Sequence, residues 1–169
     1  MPTAGRIGRE YVEVSLDSIH AEEHDAFRGL KGAWHRSVQG IKNVVATPGL
    51  RAGMAACFTR ANAHIADDMI NLAKALGCNT FVHFNFIPVG RGKEMAPFDL
   101  TPAQRENLLR TLNKHLQEGE ISIMSTAPQF GRACIAHGPL DGLMSLCGNL
   151  PFFRGQGCVC DDSGRFVLF

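Results

Sequence analysis

The feature that most constrains this chain is an alternation of strand and helix patterns along most of its length. Residues 11–15 (YVEVS) are β-branched, short and followed by polar residues, which predicts a strand. Trp34, Val38, Ile41 and Val45 then recur on one face of a helix, which Thr47, Pro48 and Gly49 end. Residues 51–59 (RAGMAACFT) predict a second strand. Asn62 is a candidate N-cap for a second helix, with Ile65, Met69, Leu72 and Leu76 on its apolar face and Gly77 as its stop. Residues 80–87 (TFVHFNFI) give the strongest strand signal. After a loop over 88–100, Thr101, Pro102 and Gln104 carry the marks of a capping box with proline at the first helical position. Leu108, Leu109, Leu112 and Leu116 supply that helix's apolar face, and residues 121–126 (ISIMST) predict a fourth strand. Beyond Ala127 the pattern becomes irregular and glycine-rich, and no helix is read there.

Such alternation implies right-handed crossovers and a parallel sheet. Four strands and three helices do not close a barrel. The expected fold is therefore α/β: a small open sheet, or an open part of a larger parallel (β/α) barrel. Residues 1–126 would form this unit, and 127–169 an irregular segment containing cysteines.

With 169 residues the chain is long enough for one domain with a core. A net charge of +1 argues against bulk electrostatic binding of nucleic acid or an anionic membrane. No apolar run approaches the length of a membrane span, and the first residues do not resemble a signal peptide. A cytoplasmic location is the default expectation. The six cysteines are Cys57, Cys78, Cys134, Cys147, Cys158 and Cys160, and their scatter argues against a disulfide framework. Cys57 and Cys78 read as buried packing residues. Cys134, Cys147, Cys158 and Cys160 fall close enough together to be candidate metal ligands, although Cys158 and Cys160 have only one residue between them.

Parallel strands buried on both faces usually read as continuous apolar runs. Two of these do not. Glu13, Ser15 and Asp17 alternate with Val12, Val14 and Leu16, while His83 and Asn85 alternate with Val82, Phe84 and Phe86. Period-2 alternation predicts a polar stripe down one side of the sheet. Ligands of parallel α/β folds bind at the C-terminal strand ends, where Ser15, Asp17, Thr59, Arg60, Asn85 and Arg91 would lie. Against this, a Ser-x-Asp at a strand end is often a turn or cap, and a lone buried His is more often a hydrogen-bonded core residue.

Several segments together resemble a known family. Residues 12–18 (VEVSLDS), 24–29 (HDAFRG) and 40–43 (GIKN) resemble the fourth strand and following helix of radical S-adenosylmethionine (SAM) enzymes. Residues 58–62 (FTRAN) are similar to the end of the fifth strand, and 83–93 (HFNFIPVGRGK) to the sixth strand and its loop. Residues 99–105 (DLTPAQR) and 125–134 (STAPQFGRAC) resemble one branch, the haem and haem d1 maturation enzymes and cofactor-modifying proteins associated with tungsten aldehyde oxidoreductases. That branch carries a SPASM or related C-terminal domain with an auxiliary cluster. The match covers roughly residues 10–135.

The resemblance implies a partial barrel that binds SAM and a 4Fe–4S cluster, cleaves SAM reductively, and modifies a small-molecule cofactor or peptide. Ferredoxin or flavodoxin would supply the electron. It places Ser15, Asp17, Arg60, Asn62, Asn85, Pro88 and Arg91 near SAM, and it makes Cys134, Cys147, Cys158 and Cys160 candidates for an auxiliary cluster. Thiolates suit such clusters, and hydroxyl and guanidinium groups suit SAM's polar ends. No three cysteines here have the family's C-x3-C-x2-C spacing. The expectation is an N-terminally truncated member, inactive alone in SAM cleavage. The alternatives are a non-catalytic SAM- or nucleotide-binding module, or a half-barrel that needs a partner chain.

Overall fold

In the computed structural model, residues 10–88 and 90–137 are described, together with the backbone of two short strands near the C-terminus. β1 (Glu10–Ser15), β2 (Leu50–Phe58), β3 (Thr80–Asn85) and β4 (Ser122–Ser125) form one sheet in the order β1-β2-β3-β4. Every pairing in it is parallel. α1 (Ala21–Arg28) and α2 (Ala33–Ala46) connect β1 to β2. A 3-10 turn (Ala63–Ile65) and α3 (Ala66–Ala75) connect β2 to β3. A 3-10 segment (Gly90–Phe98) and α4 (Pro102–Glu118) lead to β4, and α5 (Gln129–His137) follows. Near the C-terminus, β5 (Val159–Cys160) and β6 (Phe166–Val167) pair antiparallel. The sheet is open, as expected of a partial barrel.

The helices lie on one face. Leu16, Ala52, Met54, Ala56, Phe58, Phe81, Ile121 and Ile123 of the sheet pack with Val38 and Ile41 of α2, Met69, Ile70 and Ala73 of α3, and Leu108, Leu109 and Leu112 of α4. The register explains why these positions agree. Val14, Met54, Phe81 and Ile123 are opposite one another across the four strands. The next row is Ser15, Ala55, Val82 and Met124, and its side chains stand on the opposite face. Ala55 and Val82 are buried but lie outside the helix-packed core. Phe84, on this second face, is 42% exposed. Tyr11 lies across Gly53 there, where a Cβ would collide with its phenol.

The helix ends follow local chemistry. Thr101 and Gln104 form the reciprocal capping box expected of them, with Pro102 at the start of α4. Gly77 takes φ 83° just past α3, and its N–H and that of Cys78 satisfy the carbonyls of Lys74 and Ala73.

Three sequence expectations change. α1, a helix the periodicity does not predict, carries no apolar stripe; its buried residue is His24. α5 forms despite Gly131, because Phe130 and Ala133 pack into the core and Arg132 pairs with Glu106 of α4 at 2.6 Å. The single polar stripe does not exist. His83 pairs in register with Ala56, and Asn85 with Phe58, so both stand on the helix-covered face, opposite Ser15.

Candidate functional site

At the C-terminal ends of β1 and β2 a buried polar clamp is built around Asp17, which is 1% exposed. Asp17 Oδ2 accepts from Arg28 Nε at 2.6 Å, and Oδ1 accepts from the Cys57 N–H at 3.1 Å. The Asp17 N–H donates to His24 Nδ1 at 3.1 Å. The same Nδ1 lies 3.4 Å from Asp17 Oδ2, and burial holds the ring's pKa below its usual value. His24 and Arg28 stand four apart on α1, so one helix face presents both to Asp17. Asp25 points the other way and ties α1 to α2 by accepting from the Gly32 and Trp34 N–H groups.

Asn62 completes the clamp. Its Nδ2 donates to Asp17 O at 2.7 Å and Cys57 O at 3.0 Å, while Oδ1 accepts from the Thr59 N–H at 2.7 Å. It makes no helix-capping bond, so the cap expected from its sequence position is replaced by a cross-strand bridge. Asn serves both roles because its amide donates and accepts at once.

Two groups at these ends are differently placed. Ser15 is exposed on the open face, and its hydroxyl makes no hydrogen bond among the described residues. Arg60 is exposed, and its Nε donates to Asp99 O at 2.6 Å. Its two terminal nitrogens make no hydrogen bond among the described residues.

The β3 and β4 ends carry a second polar network, which meets Arg60 at Asp99. Asn85 Oδ1 accepts from Arg105 Nη1 at 2.7 Å, and Arg105 Nη2 pairs with Asp99 at 2.8 Å. His83 is buried against Phe58, and its Nδ1 meets Ser125 Oγ at 2.8 Å. Burial, with the Arg105 charge nearby, pushes its pKa down to about 4. His83 is thus a neutral core residue, the blander of its two sequence readings. Pro88 is half-buried just beyond β3, and Arg91 lies in the 3-10 segment with its side chain outside the described residues.

Among the described residues, Cys57, Cys78 and Cys134 do not come together as a metal-ligand group. Cys57 is half-buried on the open face, less enclosed than expected, and burial with the Asp17 charge pushes its thiol up to about 11. Cys78 is buried and likewise raised to about 11. Cys134 is buried within α5. Cys147, Cys158 and the Cys160 side chain lie outside the described residues. Among the described residues no three His, Cys, Asp or Glu side chains group as metal ligands, so these residues do not fit an iron–sulfur cluster. No helix among them is long and apolar enough to cross a membrane.

Sequence reasoning missed His24, Arg28, Asp99 and Arg105. The i, i+4 spacing of His24 and Arg28 after the Ser-Leu-Asp strand end was the available signal for the first pair.

No family model matches the chain. It is 31% identical over 126 residues to the AdoMet-dependent heme synthase of Methanosarcina barkeri, covering 74% of this chain and 35% of that protein. It is 28% identical over 117 residues to the enzyme of the same name from Nitratidesulfovibrio vulgaris, covering 65% and 32%. The antilisterial bacteriocin subtilosin biosynthesis protein AlbA of Bacillus subtilis is 31% identical over 84 residues, covering 50% of this chain and 18% of AlbA. The crystal structure of Streptococcus suis SuiB bound to precursor peptide SuiA superposes on 75% of this chain and 28% of SuiB, with TM-score 0.55 and 13% identity, a likeness of fold. The sequence relatives are thus named for haem synthesis and for subtilosin biosynthesis. This chain belongs with the SPASM-type radical SAM enzymes related to haem synthesis, and it spans about a third of the length of the heme synthases it matches.

Proposed function

We propose that this chain supplies the later-strand part of a SAM-binding barrel, in an enzyme that reductively cleaves SAM to modify a tetrapyrrole-type cofactor or a peptide. The observation that carries this reading is the contrast at the β1 and β2 ends. Asp17 and Asn62 spend their polar atoms on the frame, while the Ser15 hydroxyl and the Arg60 terminal nitrogens remain available beside it. A hydroxyl suits a ribose, and a guanidinium fork suits a carboxylate.

Within this reading Ser15 and Arg60 contact SAM, and Asp17 shapes the loop that presents them. Asn85 acts through the Arg105 network, and Pro88 and Arg91 belong to the rim beyond β3. When bound, a 4Fe–4S cluster would supply the electron for SAM cleavage. The described residues do not ligate one, so no step of that chemistry is assigned to them. The same observation favours a second reading, a SAM-binding module without cleavage activity of its own.

Calorimetric titration of the purified chain with SAM tests the proposal. Binding is expected in the wild type, with a loss of about ten-fold or more in Ser15→Ala/Arg60→Ala, the scale of one charge-assisted hydrogen-bond group. No binding by the wild type contradicts it. After reconstitution with iron and sulfide, the second reading expects no 5′-deoxyadenosine; its formation would overturn that reading.

A further inference from the structure

Where the chain returns from β3 to α4, two arginines from different elements close on one aspartate. Arg60, just past β2, donates its backbone N–H to Phe98 O at 2.8 Å and its Nε–H to Asp99 O at 2.6 Å. Arg105, at the start of α4, donates to Asp99 Oδ1 at 2.8 Å and to Asn85 Oδ1 at 2.7 Å. Asp99 Oδ1 also accepts from the Leu100 N–H at 2.8 Å. The Asn85 N–H is held in turn by Thr126 Oγ1, at 2.9 Å. Asp99 thereby joins the ends of β2 and β3 to α4, and Asn85 extends the link to the residue after β4.

This network is more than helix capping. The Thr101–Gln104 box already satisfies the start of α4. A cation at a helix N-terminus opposes the macrodipole, so Arg105 gains nothing there from the helix itself. Its two bonds go to residues outside α4. The consequence falls on Arg60. A guanidinium is planar, so a fixed Nε fixes the plane in which the two terminal amino groups lie. A fork held in advance loses less freedom when an acceptor arrives.

We infer that Asp99 and Arg105 are positioning residues that hold the Arg60 fork ready for an anionic group at the strand ends. This rests on the reading that those ends bind SAM, whose carboxylate is the matching anion. Neither residue touches the ligand; both act through Arg60 and the segment that carries it.

The test uses the full chain and four variants: Arg60→Ala, Arg105→Gln, Asp99→Asn and Arg105→Lys. Three quantities are read: the SAM dissociation constant, the hydrogen-exchange rate of the Arg60 Nε–H by 15N NMR, and the melting temperature. The expected result is slow Nε–H exchange in the wild type and faster exchange in Arg105→Gln and Asp99→Asn. SAM binding should weaken about ten-fold or more in Arg60→Ala, the scale of a lost charged hydrogen bond, and about three- to ten-fold in Arg105→Gln, less because Arg105 acts only through Arg60. Arg105→Lys should recover only part of it, since one ammonium cannot match the fork. A melting temperature near the wild type separates this effect from unfolding. Wild-type affinity and slow exchange in Arg105→Gln would overturn the positioning while leaving the SAM reading intact. Wild-type affinity in Arg60→Ala would overturn the SAM reading, and Nε–H exchange alone would then decide the positioning.

Discussion

The two faces of the sheet are built for different ends. One is sealed by α2, α3 and α4, and its row of Val14, Met54, Phe81 and Ile123 belongs to a continuous core or packs directly against it. The other carries Tyr11, Glu13, Ser15, Cys57, Phe84 and Met124, and none of these joins that core. Parallel sheets are usually covered on both sides. Among the described residues, the continuous hydrophobic core lies on one side of the sheet. Phe81 and Phe84 make the contrast within one strand: Phe81 has no exposure and Phe84 is 42% exposed.

Substituting those two residues is the strongest way to break the comparison. Phe81→Ala should cost about 3–5 kcal/mol, the usual price of a large buried aromatic. Phe84→Ala should cost under about 1 kcal/mol, as for an exposed position. Urea unfolding of both variants measures the difference, and equal losses would show that the open face carries the fold after all.

A second test sharpens the nature of the covered face. His83 is held there as a neutral ring, with its pKa down to about 4 from an ordinary 6.5. Between those values the unfolded chain takes up a proton that the folded chain refuses, so stability should fall as pH drops from about 6.5 to 4. The loss attributable to His83 is about 3 kcal/mol at 1.36 kcal/mol per unit. His24, also lowered by burial, contributes in the same direction. Unfolding curves across this range should flatten in His83→Gln by the His83 share; an unchanged slope would mean that the ring is not buried neutral.

The smallest effect concerns α4. Asn113 is 3% exposed, and its Oδ1 has no hydrogen-bond partner among the described residues. An orphaned buried carbonyl costs about 1–3 kcal/mol, so Asn113→Leu, similar in volume, should stabilise the chain by about 1 kcal/mol. A lower melting temperature would contradict this.

Much of this division was legible in the sequence, but not which residues fell on which side. The apolar spacing of α2, α3 and α4 and the capping box at Thr101 are local signals, and the structure keeps them. The alternation within β1 and within β3 was also local and correct. Their relation was not, because register depends on pairing through β2, and a shift of one residue exchanges the faces. That shift moved His83 and Asn85 away from Ser15. α1 escaped the periodicity because its buried residue is a histidine held by Asp17 rather than an apolar side chain. α5 escaped because Gly131 weakens its local preference and its packing on α4 restores it. Asn62 looked like a cap because caps and cross-strand bridges use the same amide.

Two methionines stand on the two faces and report on both at once. Met54 lies in the covered row and Met124 in the open row with Ser15. Titrating the chain with SAM while following the 13C-methyl resonances of Met54 and Met124 therefore tests the central claim most directly. A saturable shift at Met124 with Met54 nearly unmoved is the predicted result. No shift at Met124, or an equal shift at both, would contradict the placing of SAM beside Ser15, on the face that Met124 shares.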